Sequence, residues 1–260
     1  MSFTQATPRE PTDLMWLERR DDDFPYYRGL PVEITPARWW VVMAAVAAGL
    51  AVLLLPPPFL RGTFGSFGAA ILYFAIPLVA LAWAVGPAWT AIFRRLRAID
   101  LLIILGFVLL NYVFTFIDGY LITRFTESTA NEAIGGSASL EGTARWLLFA
   151  RTGLQLFGEE VMSILPFLAL LYWLAGRRGM SRSWAIVIAV LITAVWFAAT
   201  HLPTYGYNVV QALLGVGVAR IILIIPYIIT KNIWVSTGTH VLYDWSNIAL
   251  VMLTAGGSEG

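Results

Sequence analysis

Residues 146–175 read WLLFARTGLQLFGEEVMSILPFLALLYWLA. A helix crosses the hydrocarbon core of a bilayer with about 20 apolar residues. This run is longer, so it predicts a span that is tilted or overhangs the bilayer. Yet it carries Arg151, Gln155, Glu159 and Glu160. A charge at the centre of a transmembrane helix costs about 2.5–3.5 kcal/mol on insertion scales. Two adjacent carboxylates would therefore cost roughly 5 kcal/mol or more unless paired, protonated or hydrated. Arg151, Gln155 and Glu159 repeat at i, i+4, i+8 and form one polar stripe. Neighbouring residues on a helix point about 100° apart, so Glu159 and Glu160 cannot both aim squarely at one point. Either the stripe is an interhelical hydrogen-bond seam, or it faces a functional cavity.

Outward from this run the same apolar pattern recurs six times. Candidate spans are 39–55 (closed by Pro56, Pro57 and Pro58), 67–85, 99–120, 146–175, 184–200, 209–230 and 233–253. The last two are joined only by Lys231 and Asn232. The expected fold is all-α, a polytopic transmembrane helix bundle of about seven spans. Residues 39–255 form its single helical domain, and 256–260 a short tail. With the N-terminus inside, inside segments carry twelve of the Lys and Arg residues and outside segments three. That asymmetry orients the chain. Residues 123–143, with Gly135 and Gly136, read as an extramembrane loop.

Composition agrees. The chain is 58% hydrophobic and 13% charged, against about 25% charged in soluble domains. A formal charge of +1 offers no basic surplus for nucleic acid. With no cysteine, disulfides, thiolate catalysis and thiolate-bound metals are excluded. Residues 1–38 are polar and proline-containing, without a secretory-signal pattern. They read as a disordered or surface-lying tail, with Asp21–Asp23 a solvated acidic run.

The chain's two histidines, His201 and His240, both fall on spans. Phe197 precedes His201 by four residues. Asp244 follows His240 by four, with Asn247 a turn further on. A carboxylate one turn from an imidazole can hold its tautomer. Arg220, in an apolar context, must find an acid, backbone carbonyls or the interface. Asn111 and Asp118 read as packing or interfacial residues, and Gly215 and Gly217 as positions of close helix approach.

The ordered set Glu159-Glu160, Phe197-x-x-x-His201 and His240-x-x-x-Asp244, on successive membrane segments, resembles the CPBP family of intramembrane proteases. That family includes the CAAX prenyl endopeptidases and bacterial bacteriocin-processing and immunity proteins, with the pattern EExxxR, FxxxH and HxxxN/D. The resemblance covers about 146–253, the catalytic-type core. It departs once: Ile164 stands where the pattern has Arg. Arg220 from another helix is a candidate replacement. Arg151, about 12 Å from Glu159 along the axis, is a poorer one.

The resemblance implies an intramembrane endopeptidase acting through activated water on a membrane-associated peptide or protein. Glu159 would be the general base and His201 would orient the water. His240, held by Asp244, would donate to the oxyanion. Glu160, Phe197, Arg220 and Asn247 would support them. The expected cofactor is none, with a divalent metal on Glu159, His201 and His240 as the alternative. Membrane lipids are the other partner, and the setting is a multi-pass position in the membrane, the cell membrane in a bacterium. Two other readings stand beside it: a noncatalytic relative that acts by binding a partner, and a small proton-coupled transporter, since intramembrane acids and histidines also build proton relays.

Overall fold

The computed structural model describes residues 18, 19, 22–127, 129 and 131–256. Residues 1–17 of the expected tail, Asp21 of the acidic run and 257–260 at the C-terminal end lie outside the described residues. Among the described residues seven long helices follow: α1 (Pro36–Leu54), α2 (Gly62–Val85), α3 (Ala98–Phe125), α4 (Gly142–Arg177), α5 (Arg182–Thr200), α6 (Val209–Thr230) and α7 (Ile233–Gly256). Six of them, α1 to α6, are long and apolar enough to cross a membrane. The seventh, α7, is 24 residues long and is diluted by His240, Asp244 and Asn247.

Local chemistry sets the ends. Thr35 caps α1, its hydroxyl accepting from Arg38 N, and Pro36 occupies the first turn, where its missing N–H costs nothing. Asp100 accepts from Arg97 N at the start of α3. Asn208 caps α6 through Gln211 N at 3.0 Å. Between α6 and α7, Lys231 takes a left-handed conformation (φ 51°). Asn232 then clasps Arg94, accepting from its N and donating to its O, both at 3.1 Å.

Helix α4 is the centre of the bundle. Its apolar stretch is 72% buried against 17% for that of α3, so the helix with the carboxylates has little access to lipid. It packs against α1, α2, α5 and α7, while α6 fills the space between α3, α5 and α7. The outer face of α3 exposes Leu102, Leu105, Leu109, Val113 and Phe116, the helical-period apolar stripe that lipid covers.

The N-terminal segment departs from the expected surface-lying tail. Phe24, Tyr26, Tyr27 and Ile34 are buried in the main core. Phe24 packs its ring against Phe167 and Tyr227. Nor is the acidic run merely solvated: Asp22 pairs with Arg94 at 2.8 Å and Asp23 with Arg182 at 2.8 Å. The aromatic residues among the charges explain the difference, because their burial carries the acids onto the basic helix ends. The expected loop also does more than cross an exposed surface: Ser137 is buried, and Glu132–Gly135 and Gly136–Ser139 pack on α7.

Candidate active site

The two adjacent glutamates diverge as helix geometry requires, and they enter different networks. Glu160 is fully buried. Arg220 grips it with both terminal nitrogens, Nη1 to Oε1 at 2.6 Å and Nη2 to Oε2 at 3.1 Å. His240 Nδ1 lies 2.9 Å from the same Oε1. A carboxylate held in an arginine fork acts as acceptor, so Nδ1 carries the proton and the ring's Nε2 is turned the other way.

That other side is a cavity of about 550 Å³. Glu159, His201, His240 and Asp244 line it together with Phe197 and Asn247. His240 Nε2 lies 3.8 Å from Glu159 Oε2 and 3.8 Å from Asp244 Oδ2. Glu159 belongs to the polar stripe read from the sequence: Arg151 Nη1 donates to Gln155 Oε1 at 3.3 Å, and Gln155 Nε2 donates to Glu159 Oε1 at 3.1 Å.

His201 reaches this cavity because α5 ends there. Pro203 cannot continue the helix, and a tight turn over Leu202–Tyr205 follows. The ring's Nδ1 sits 2.9 Å from the Phe197 carbonyl. A carbonyl only accepts, so Nδ1 carries that proton and a neutral ring keeps the Nε2 lone pair. The Phe197 ring centre lies 4.6 Å from that of His201 at a tilt of 40°, meets His240 edge-on at 6.2 Å and lies 5.3 Å from the Arg220 guanidinium. It spaces the two imidazoles and covers the ion pair behind them.

The expected arrangement needs one correction. The resemblance implies that Asp244 holds His240, but its 3.8 Å approach is longer than a hydrogen bond and lies on the Nε2 side. Glu160 holds the ring instead. Spacing on one helix places Asp244 beside the imidazole; only packing of α4 against α7 decides which carboxylate takes Nδ1. Asn247 lines the cavity and donates to the Tyr243 carbonyl at 3.1 Å. Asp118 is not only a packing residue, since it too lines the cavity.

Tyr73 and Tyr205, which no sequence pattern marks, also line the cavity. Tyr73 comes from α2, and Gly158 admits it: a Cβ at Gly158 would lie 2.3 Å from the Tyr73 ring. A tyrosine in an apolar span carries no signal of its own, although the glycine before the paired glutamates does.

Among the described residues no three His, Asp or Glu side chains are grouped so as to hold a metal ion. In the alternative ligand set of Glu159, His201 and His240, Glu160 on Nδ1 would orient His240 with Nε2 toward the ion, as a second-shell carboxylate does.

A family model described as type II CAAX prenyl endopeptidase Rce1-like matches residues 116–246, about half of the chain. The chain belongs to this family. The match contains both glutamates, both histidines and Asp244, and it ends just before Asn247. No curated protein and no solved structure matches. The family is one of integral membrane proteases, and with six apolar helices this member is a multi-pass membrane protein. In general terms it is of the intramembrane CAAX-type protease class, and a protease of that class takes a membrane-associated peptide or protein as substrate.

Proposed function

We propose that this protein is an intramembrane endopeptidase that hydrolyses a peptide bond with water activated by Glu159. The observation that carries the reading is the convergence of Glu159, His201 and His240, from α4, α5 and α7, on one cavity. Behind them Glu160 and Arg220 fix the ring of His240.

Glu159 takes a proton from water as its oxygen attacks the scissile carbonyl carbon. The Nε2 lone pair of His201 accepts the water's second hydrogen and aims the oxygen. His240, doubly protonated, donates Nδ1–H to Glu160 and Nε2–H to the oxyanion of the tetrahedral intermediate. The C–N bond then breaks, and Glu159 returns its proton to the leaving amine. Asp244 and Glu159 both lie beside His240 Nε2 and stabilise the imidazolium by charge. The substrate is a prenylated or otherwise membrane-associated peptide. The charge bias of the chain orients the N-terminal segment inside, and the cavity, lined by the C-terminal ends of α1, α3 and α5, then lies in the opposite half of the bundle.

Ile164 favours a noncatalytic relative, since it removes the cation of the family pattern. Arg220 supplies a cation to Glu160 from α6, which weakens that argument.

General-base catalysis contributes about 10²–10⁴-fold. Glu159→Gln, purified in detergent and assayed on a panel of membrane peptides, is expected to lose turnover by about that factor. Full turnover in this variant would remove Glu159 as the base.

A further inference from the structure

The α4 polar stripe begins with a cation that the hydrolytic steps leave unused. Arg151 is half-buried and lines the same cavity as Glu159. Among the described residues its one hydrogen bond is to Gln155, at 3.3 Å, and no carboxylate pairs with it. A guanidinium carries five N–H donors, so most of them are unspent. The buried cations elsewhere are matched to acids: Arg220 to Glu160, Arg182 to Glu18 and Asp23, Lys231 to Glu18. The carboxylates on the wall, Asp118, Glu159 and Asp244, repel an anion, and the other cationic candidate, His240, is already held by Glu160. Arg151 is the position where an anion would be stabilised.

We propose that Arg151 anchors a carboxylate of the bound peptide and thereby sets where along the peptide the cut falls. The inference rests on the protease reading of Glu159. Gln155 joins the two groups, taking a hydrogen bond from Arg151 and giving one to Glu159 at 3.1 Å. Two hydrogen bonds across one amide put the guanidinium within about 9 Å of the Glu159 carboxylate. An extended chain advances about 3.3–3.6 Å per residue. A carboxylate in the Arg151 fork therefore lies within about three residues of the bond that the Glu159 water attacks. Gln155 also separates base from cation, because an arginine folded directly onto Glu159 would tie up the base. Arginine suits the task, since its planar fork matches a carboxylate with two parallel hydrogen bonds.

The experiment uses the full chain in nanodiscs of uncharged lipid and one cleavable peptide in three forms: free C-terminal acid, C-terminal amide, and amide with an aspartate placed near that end. Wild type is expected to favour a carboxylate-bearing form over the neutral amide by about tenfold or more in kcat/KM, through KM, the size of effect usual for a charge-assisted hydrogen bond. Which form is favoured separates a terminal carboxylate from a side-chain one. In Arg151→Gln the preference falls to near one, and Arg151→Lys keeps part of it. Binding of the same peptides to Glu159→Gln reads anchoring without chemistry. Carboxylate-dependent binding that needs Arg151, with no turnover by wild type, would sink the protease reading and uphold the anchor. Turnover that depends on Glu159 but ignores peptide charge, or a charge preference unchanged in Arg151→Gln, overturns the anchor.

Discussion

Glu160 shows what one residue costs and what keeps it. Its side chain has no exposure, and neither its arginine nor its histidine partner is more than 5% exposed. Removing one partner of a buried ion pair leaves an uncompensated charge and destabilises by about 3–5 kcal/mol. Arg220→Gln is therefore expected to lower stability by about that amount, read as the unfolding midpoint in detergent. Position 164 is four residues after Glu160 on the same helix, so an arginine there can reach the same carboxylate. Ile164→Arg introduced into Arg220→Gln is expected to recover part of the loss despite the packed site; strict additivity of the two changes would show that Arg220 does not serve in its place. The sequence exposed Arg220 as a cation needing a partner. It could not name Glu160, because that pairing joins residues 60 positions apart.

Between elements, the decisive contact is a missing side chain. Gly158 lets the Tyr73 ring lie against α4 one residue before Glu159, and α1 approaches α2 as closely at Gly49, whose Cβ would meet the Tyr73 carbonyl at 2.5 Å. Gly158→Ala forces the ring or the helix to move. It is expected to cost about 1–3 kcal/mol, as overpacking does, and to reduce turnover by displacing Glu159. Pairing it with Tyr73→Ala is expected to cost less than the two separate changes added together, measured by thermal unfolding. Spans α1 to α7 were all legible as elements from their apolar runs. The contribution of α2 to the cavity was not, because a lone tyrosine within an apolar helix is ordinary packing until its neighbour is known.

For the molecule as a whole, the N-terminal segment ties helix ends together at the end of the bundle away from the cavity. Glu18 takes both terminal nitrogens of Arg182, at 2.5 and 2.6 Å, and also binds Lys231. Arg19 pairs with Asp100 on α3. One segment thus joins α3, α5 and the α6–α7 turn. Burial alone pushes the Glu18 carboxyl up, but Arg182 and Lys231 outweigh it and hold it below the ordinary carboxylate value of 4.5. Asp23 is likewise lowered from 3.8, burial being overcome by Arg182, Tyr27 and the backbone of Phe24. Burial and the neighbouring Asp23 push the Tyr27 hydroxyl up to about 12, so it remains a donor. Carboxylates with lowered values stabilise the fold above their unfolded values and lose that contribution as pH falls through the folded ones. Wild type is therefore expected to exceed Glu18→Gln in unfolding midpoint at neutral pH, and the gap should shrink as pH drops below about 4.5. An unchanged gap in acid would mean that Glu18 is not held as an anion.

By itself the sequence determined a membrane-embedded all-helical bundle, because the periodicity and length of apolar runs answer directly to the bilayer. It also picked out the glutamates, histidines and Asp244, because a polar group within such a run is costly enough to stand out alone. Tertiary structure alone decided which carboxylate holds His240, which cation serves Glu160, and that the aromatic N-terminal segment enters the core. Those outcomes turn on distances of a few ångströms between helices far apart in the chain, and spacing along one helix does not encode them.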